Sequence, residues 1–447
     1  MIDSLRLLIP RIRQDTLRPG SLRARFARGV AWSFIGAALG QGLSMLANIA
    51  AARLLGKTSY GEFGIIVSTI AAFGVFAGIG LGMAATKYVA ELRTQDPVRA
   101  GQVLGLSLAT SVLLGGAMSA LLLGLAPWLA RTTLNAPHLA GELRLGCALL
   151  VLNVIGGVQT SALAGLEAFR TVAGVNVVRG AFTLPCVLLG TRWFGLSGAV
   201  GAMIVAAVAA CVVGGRALRM ECRAFDIRIT LRGCWRGARS ILWEFSFPAL
   251  ATTVLVSPTA WWTNTLLVRQ RDGYAQMGLL NGVIQWRLAL LSLFLMFAGA
   301  NLAILSNLFG QRDKQGFFKV VNGSMLLTLV VSGAISVPVI VLSSWLMGLY
   351  GRGFAGAGAM LQLTAVTSLI VALATVVGQA IASMGAIWLG FLLNLVWAGV
   401  TIGLAYMLVD RGAMGLVITY LASYALLGAQ SWLYLIHARR AKIWSRP

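Results

Sequence analysis

The chain has 447 residues, of which 58% are hydrophobic and only 11% are charged, and its net charge is +23. Its mean hydropathy is +0.84, whereas a soluble globular protein carries about 25% charged residues. The composition therefore excludes a soluble protein and indicates an integral membrane protein. The positive charges follow no DNA- or RNA-binding pattern, so we expect no nucleic-acid partner.

Apolar runs long enough to cross a bilayer recur along the whole chain. A helix needs about 20 apolar residues to span a hydrocarbon core of about 30 Å, because every backbone group must be hydrogen-bonded within its own segment. About twelve runs meet this length, which predicts an all-α integral membrane protein with about 12 transmembrane helices. The predicted spans are residues 29–52, 61–86, 102–127, 142–164, 173–190, 197–216, 241–266, 278–304, 319–342, 357–382, 387–409 and 414–436.

The second half of the chain repeats landmarks of the first half. The matched residues are Tyr60 with Tyr274, Gly64 with Gly278, Gln159 with Gln379 and Gly165 with Gly385, at offsets of 214 to 220 residues. Six spans on each side of a basic segment therefore form two related units. The predicted domains are a basic N-terminal tail (1–28), an N-lobe of six helices (29–218), a basic linker (219–240), a C-lobe of six helices (241–436) and a basic C-terminal tail (437–447).

The distribution of Lys and Arg predicts that both termini lie in the cytoplasm. With the N-terminus inside, the cytoplasmic segments hold 25 of these residues and the external segments hold nine, as the positive-inside rule requires. The basic tails and linker would then lie against anionic lipids, where each cation near the surface contributes about 1 kcal/mol.

Residue types that build catalytic or metal sites are few and scattered. The five cysteines form no C-x-x-C pair, and the two histidines have no partner at metal-ligand spacing. The 13 Asp and Glu residues form no pair suited to acid and base catalysis. We therefore expect no metal, no cofactor, no disulfide and no enzymatic activity.

Four short motifs follow one another in the first two predicted spans. They are Arg53-Leu-Leu-Gly56, Tyr60-Gly-Glu-Phe-Gly64, Gly78-Ile-Gly-Leu-Gly82 and Thr86-Lys-Tyr-Val-Ala90. In this order they resemble the first two helices of bacterial polysaccharide flippases. That family belongs to the superfamily that also contains the multidrug and toxin extrusion antiporters and the peptidoglycan lipid flippases. The local similarity covers roughly residues 28–110, and the six-plus-six plan extends it to the whole chain.

The resemblance implies two repeated six-helix bundles around a central cavity. It also implies an activity, which is to flip an undecaprenyl-diphosphate-linked oligosaccharide from the cytoplasmic to the periplasmic leaflet of the bacterial inner membrane for surface polysaccharide or exopolysaccharide biosynthesis. Rocking of the lobes would give alternating access to a polar, preferably cationic cavity, while the polyprenyl tail stays in lipid. The implied partners are the lipid-linked oligosaccharide, anionic membrane lipids, and a polysaccharide polymerase or other assembly proteins.

Arginines inside spans are the first candidates for the cavity, because an intramembrane charge is costly and by default functional. Arg179 shares a helix face with Asn176, and its guanidinium could bind a diphosphate through two hydrogen bonds. It could equally extend to the nearby cytoplasmic interface. Gln285 and Arg287 point about 200° apart on their helix, so only one of them can face a cavity. We favour Arg287, since an unpaired cation facing lipid is the costlier arrangement.

Polar stripes on two other spans supply further candidates. Gln41, Ser44 and Asn48 follow helical spacing along the first span, and Thr253, Ser257 and Asn264 do so along the seventh. These side chains could contact sugar hydroxyls or form hydrogen bonds between helices. The cavity candidates are therefore Arg179, Arg287, Asn176, Gln41, Asn48 and Asn264.

Charged residues close the second span and the matching span of the second half. They are Lys87, Glu91 and Arg93 in the N-lobe and Arg312, Asp313 and Lys314 in the C-lobe. Ion pairs between the two sets could close the cytoplasmic gate. Ordinary anchoring at the membrane interface is the alternative.

A cation-coupled multidrug antiporter of the same superfamily is the main alternative function. Such antiporters usually carry a membrane-embedded acid in an early helix, and the first span here contains none. A scramblase or a non-transporting structural membrane protein is a third possibility. The energy source of a flippase stays open, because the membrane potential, an ion gradient and trapping by downstream enzymes all fit the sequence.

Overall fold

The structure, a computed structural model, describes residues 22–78, 81–230, 254–295 and 298–440, and these ranges form helices joined by short turns. We number the α-helices in chain order. They are α1 Leu22–Gly78, α2 Leu81–Leu92, α3 Pro97–Trp128, α4 Ala140–Gly165, α5 Phe169–Ala224, α6 Val256–Val268, α7 Gly273–Leu295, α8 Ala298–Gly310, α9 Lys314–Val341, α10 Ser343–Gly348, α11 Gly358–Ser383, α12 Ile387–Leu408 and α13 Gly412–Arg440.

Seven helical segments in the described ranges are long and apolar enough to cross a membrane. Three of them are hairpins of two spans, because a glycine with positive φ reverses the chain at Gly56 (φ 73), Gly195 (φ 55) and Gly412 (φ 64). Glycine adopts this conformation at little cost because it has no Cβ. The predicted all-α integral membrane fold is therefore confirmed. The number of twelve stays a prediction, since the seventh span begins outside the described ranges.

Two predicted domain boundaries fall inside helices. Helix α1 already begins at Leu22, within the predicted N-terminal tail, and α5 continues through Ala224, within the predicted linker. The last turns of α5 stay helical because Leu218 and Cys222 bury their side chains against the N-lobe. The remainder of the predicted tails, residues 1–21 and 441–447, and residues 231–253 of the linker and seventh span lie outside the described residues.

The structure fixes the register of the repeat at 217 residues. Asp96 and Asp313 each cap the N-terminus of a helix, α3 and α9, and the hairpin glycines Gly195 and Gly412 are separated by the same distance. The sequence alignment of Tyr60 with Tyr274 is therefore one helical turn out of register.

The two lobes share a hydrophobic core at one end of the bundle only. We call the end with Gly56, Gly195 and Gly412 the hairpin end, and the opposite end, which carries Arg93 and Asp313, the linker end. Among the described residues, one core cluster joins side chains of both lobes and includes Tyr60 and Tyr350. The clusters toward the linker end belong to one lobe each. The lobes are therefore packed together at the hairpin end.

Glycines allow the closest approach between the lobes. After Gly56, the second limb of α1 crosses α7, and a Cβ on Gly61 would overlap the carbonyl oxygen of Tyr274. A Cβ on Gly278 would likewise overlap the carbonyl oxygen of Lys57. Any larger residue at either glycine would push the two helices apart.

Candidate functional site: the cavity between the lobes

A cavity of about 490 Å³ lies beside the second limb of α1, lined mostly by the N-lobe and reached by the C-lobe at Ser257. Its walls come from α1, α2, α4 and α5 of the N-lobe and from Ser257 on α6 of the C-lobe. Val67, at its edge, lies about 16 Å from Gly56 along the helix at 1.5 Å per residue, and Gly82 lines it toward the linker end. The cavity thus occupies the middle of the bundle and part of its linker side.

Arg179 is not itself among the residues that line this cavity, but it contacts one of them. Its guanidinium donates a hydrogen bond to Asn153 Oδ1, and Asn153 lines the cavity. Thr183, one turn along α5, donates its hydroxyl back to the carbonyl oxygen of Arg179 at 2.7 Å. The guanidinium has further donors beyond the one that Asn153 accepts, so the arrangement can bind an anion.

Arg287 is held inside the C-lobe by an aromatic ring. Its guanidinium carbon lies 5.3 Å from the centre of the Tyr420 ring, and the Tyr420 hydroxyl is 2.8 Å from Thr263 Oγ1. Arg287 Nε is buried and has no hydrogen-bond partner among the described residues. By the repeat register, Arg287 corresponds to Ile70, which lines the cavity in the N-lobe.

Helix α6 connects the lobes through hydrogen bonds near the cavity. Asn264 Nδ2 donates to Ser68 Oγ at 3.0 Å, and Trp261 Nε1 donates to Thr69 Oγ1 at 2.9 Å. Asn264 Oδ1 is buried without a partner in the described part of the chain. The structure therefore places Asn264 at the contact between the lobes, where one amide atom stays available.

The remaining cavity candidates lie on the first limb of α1 and on α5. Asn48 accepts a hydrogen bond from the Tyr60 hydroxyl at 3.3 Å and donates to the Ser44 carbonyl oxygen at 2.9 Å. Asn176 packs where α5 crosses Gly40, and Gln41 is half-buried. Contacts within α1, along its first limb and to its second limb, occupy Asn48, and a role in substrate binding stays a prediction for all three.

The predicted gate residues lie at the linker end, and three of them have contacts within their own lobes. Arg93 forms an ion pair with Glu167, Asp313 accepts a hydrogen bond from the backbone N–H of Gly316 at 2.8 Å, and Lys87 Nζ lies 5.1 Å from the centre of the Tyr88 ring. Five of the six are exposed on the surface: Lys87, Glu91, Arg312, Asp313 and Lys314. Ion pairs between the lobes would need the linker end to close, so the gate stays a prediction.

Three residues of the site do not follow from sequence patterns. Asn153 bonds to Arg179, Tyr420 contacts Arg287, and Thr263 bonds to Tyr420. Each of the three lies on a different helix from the arginine concerned. Polar residues inside predicted spans are the only signal that could have indicated them. No group of three His, Cys, Asp or Glu within the described ranges is placed to hold a metal ion.

Comparison with known proteins shows a family and a relative that match most of this chain. A family model described as "Polysaccharide biosynthesis protein" matches residues 26–309. The chain is 25% identical over 406 residues to the "EPS I polysaccharide export inner membrane protein EpsE" of Ralstonia nicotianae, a match that covers 88% of this chain and 89% of that protein.

Solved transporters share the fold. A multidrug resistance MATE family transporter of the MOP superfamily, in an inward-facing conformation, is 16% identical with a TM-score of 0.75, over 92% of this chain and 98% of that one. A MOP superfamily transporter from Pyrococcus furiosus is also 16% identical with a TM-score of 0.71, over 94% and 96%. At this identity the likeness establishes the transporter fold and nothing about the ligand.

Proposed function

Because the chain belongs to the family of polysaccharide biosynthesis proteins, we propose that it flips a lipid-linked oligosaccharide across the bacterial inner membrane by alternating access. The cargo would be an oligosaccharide on undecaprenyl diphosphate, which moves from the cytoplasmic to the periplasmic leaflet for surface polysaccharide synthesis. The chain is a membrane protein that has a transporter fold and is 25% identical to a polysaccharide export protein.

The pairing of Arg179 with a cavity-lining side chain is the observation that carries the proposal. A diphosphate must lose water to cross hydrocarbon, and a guanidinium can replace that water with two parallel charge-assisted hydrogen bonds. Asn153, which lines the cavity, accepts a hydrogen bond from the Arg179 guanidinium. Arg287 occupies the position in the C-lobe that corresponds to a lining residue of the N-lobe, which supports a second cation on the other side.

The charges around the cavity favour an anionic cargo over a cationic drug. The described lining residues include Asn153, Ser161 and Ser257 but no carboxylate. A cation-coupled antiporter would need an acid there to bind its ion. Within the described ranges, no lining residue is an acid that could carry a proton or bind a cation by its charge.

The packing of the lobes agrees with the first step of such a cycle. With the linker end in the cytoplasm, as the positive-inside rule predicts, the closed hairpin end would face the periplasm. The cavity would then receive cargo from the cytoplasmic leaflet. Opening the hairpin end and closing the linker end would release the cargo on the other side.

The test is a deletion in the native bacterium, complemented with the wild type, Arg179→Ala or Arg287→Ala at matched membrane levels. A charge-assisted hydrogen bond contributes about 1.5–3 kcal/mol, so each variant should lower translocation about tenfold or more. Surface polysaccharide should fall, and the lipid-linked oligosaccharide should accumulate in the cytoplasmic leaflet. Arg192→Ala is the matched control, because Arg192 is an exposed arginine on the same helix at the hairpin end.

Each other outcome of this experiment has a definite meaning. Normal polysaccharide in the deletion strain together with altered drug susceptibility would replace the proposal with the multidrug antiporter. Full rescue by both arginine variants would leave the flippase in place but remove the two arginines from its site.

A further inference from the structure

The walls of the cavity are unexpectedly apolar for a protein that moves sugars. Aliphatic residues and glycines form most of the lining, among them Val67, Ile70, Val154 and Val158. A sugar placed against such a surface would lose hydrogen bonds to water and gain none, which costs free energy for each hydroxyl. The volume of about 490 Å³ falls in the range of about 300–1,000 Å³ that is typical of pockets for small organic ligands.

Three glycines that line the cavity leave open space where a side chain would be. A Cβ built on Gly74, Gly78 or Gly157 would meet nothing within 4 Å, and we use Gly74 and Gly157 as probes of that space. They differ from Gly61 and Gly278, whose missing side chains allow two helices to touch. Gly74 and Gly157 therefore leave open volume instead of permitting packing.

A cation lies one side chain away from this apolar volume. Arg179 donates a hydrogen bond to the lining residue Asn153, and the described lining contains no carboxylate. The apolar walls suit an apolar chain, and the nearby guanidinium suits an anionic group. Together they fit an amphiphile whose anionic group is attached directly to an apolar chain. A cationic amphiphile would be repelled, and a neutral sugar would find too few partners.

We propose that this cavity binds the isoprene units nearest the diphosphate of the cargo, with the diphosphate at Arg179. The inference rests on the proposed function and refines it. Only the distal part of the polyprenyl chain would stay in the bilayer, and the proximal part would enter the protein. Recognition would then include the prenyl chain itself, independently of the sugar.

Binding to short probes tests the inference on the full chain in lipid nanodiscs. The probes are farnesyl diphosphate, inorganic diphosphate, farnesol and dioleoylphosphatidylglycerol. We expect farnesyl diphosphate to bind at least tenfold more tightly than each of the other three. Gly74→Leu and Gly157→Leu should each weaken farnesyl diphosphate binding at least tenfold and leave inorganic diphosphate binding unchanged, whereas Arg179→Ala should weaken both.

Gly124→Leu is the matched control, because Gly124 is exposed on α3 and a Cβ there also meets nothing within 4 Å. The Gly124→Leu change introduces the same side chain into a helix without filling the cavity. This variant should therefore bind farnesyl diphosphate as tightly as the wild type does. Size-exclusion profiles and thermal unfolding of all variants show whether each one is folded. Using two cavity glycines keeps the test valid if one variant does not fold.

Translocation of lipid-linked oligosaccharide by the same proteins in vesicles separates the two proposals. If the wild type translocates and both cavity-filled variants bind and translocate normally, the prenyl site is wrong and the flippase stands. Equal binding of phosphatidylglycerol and farnesyl diphosphate would also overturn the prenyl site, since the cavity would then accept any anionic lipid. A wild type that does not translocate would overturn the function itself.

Discussion

Tyr420 is the residue on which the C-lobe part of the site depends. Its ring contacts the guanidinium of Arg287 and its hydroxyl bonds to Thr263. Because these contacts use different parts of one side chain, substitutions can separate them. The comparison shows whether Arg287 must be held in place for transport.

Tyr420→Phe removes the hydroxyl and keeps the ring. We expect it to lower the free energy of unfolding by about 0.5–1.5 kcal/mol, the net value of one hydrogen bond, with little change in transport. Tyr420→Leu also removes the cation–π contact, worth about 0.5–2 kcal/mol, and should slow transport because Arg287 is released. Unfolding in detergent and translocation in vesicles measure the two effects, and unchanged transport in the Leu variant would show that Arg287 need not be held by Tyr420.

At the scale of helices, the crossing of α1 and α7 decides whether the hairpin end can close. Gly61→Val or Gly278→Val would place side-chain atoms on the backbone of the other helix. Overpacking of this kind costs about 1–3 kcal/mol, so either change should shift the protein toward a state that is open at the hairpin end. The double variant should add little, because both changes act on one contact.

Spin labels at Arg131 and Arg271 can detect that opening, because both residues are exposed at the hairpin end and belong to different lobes. In a background without native cysteines, the distance between the labels should lengthen in the Gly61 and Gly278 variants. Gly124→Val is the control, since a Cβ there meets open space. An unchanged distance in both variants would show that this crossing does not control closure.

The cap of α9 permits a test of the predicted gate. Asp313→Asn removes the charge and keeps the cap, whereas Asp313→Ala removes both and should cost about 1 kcal/mol of stability. The gate hypothesis predicts slower transport in the Asn variant as well. Asp96 caps α3 at the matching repeat position, so Asp96→Asn is the control, and equal transport in the two Asn variants would favour simple capping.

For the whole molecule, topology reporters test the predicted orientation. A fluorescent protein fused after the C-terminus should fold and fluoresce in the cytoplasm. Alkaline phosphatase inserted after Asn135, an exposed residue at the hairpin end, should be active, and the same insertion after Gln95 at the linker end should be inactive. The opposite pattern would invert the protein and with it the proposed direction of transport.

The sequence predicts the membrane spans well because the length of an apolar run is a local property. It places the ends of α1 and α5 less well, since burial of residues such as Leu218 depends on neighbouring helices. The contact between Arg179 and Asn153 depends on how two helices cross, which hydropathy does not encode. For the same reason, the sequence alone aligns Tyr60 with Tyr274, which is one helical turn out of the register that the structure shows.

The contacts at the crossing of α1 and α7 follow the internal repeat of the chain. Lys57 contacts Gly278, and Tyr274 contacts Gly61. In the repeat register, Lys57 corresponds to Tyr274 and Gly61 corresponds to Gly278, so each contact is the repeat equivalent of the other. This is the self-complementary contact of a two-fold dimer, here formed within one chain. Gly64, however, faces Asn281, its own counterpart in the repeat. Two identical subunits would have to oppose Gly to Gly or Asn to Asn at this point, so the small residue can face the large one only because the two halves differ in sequence here.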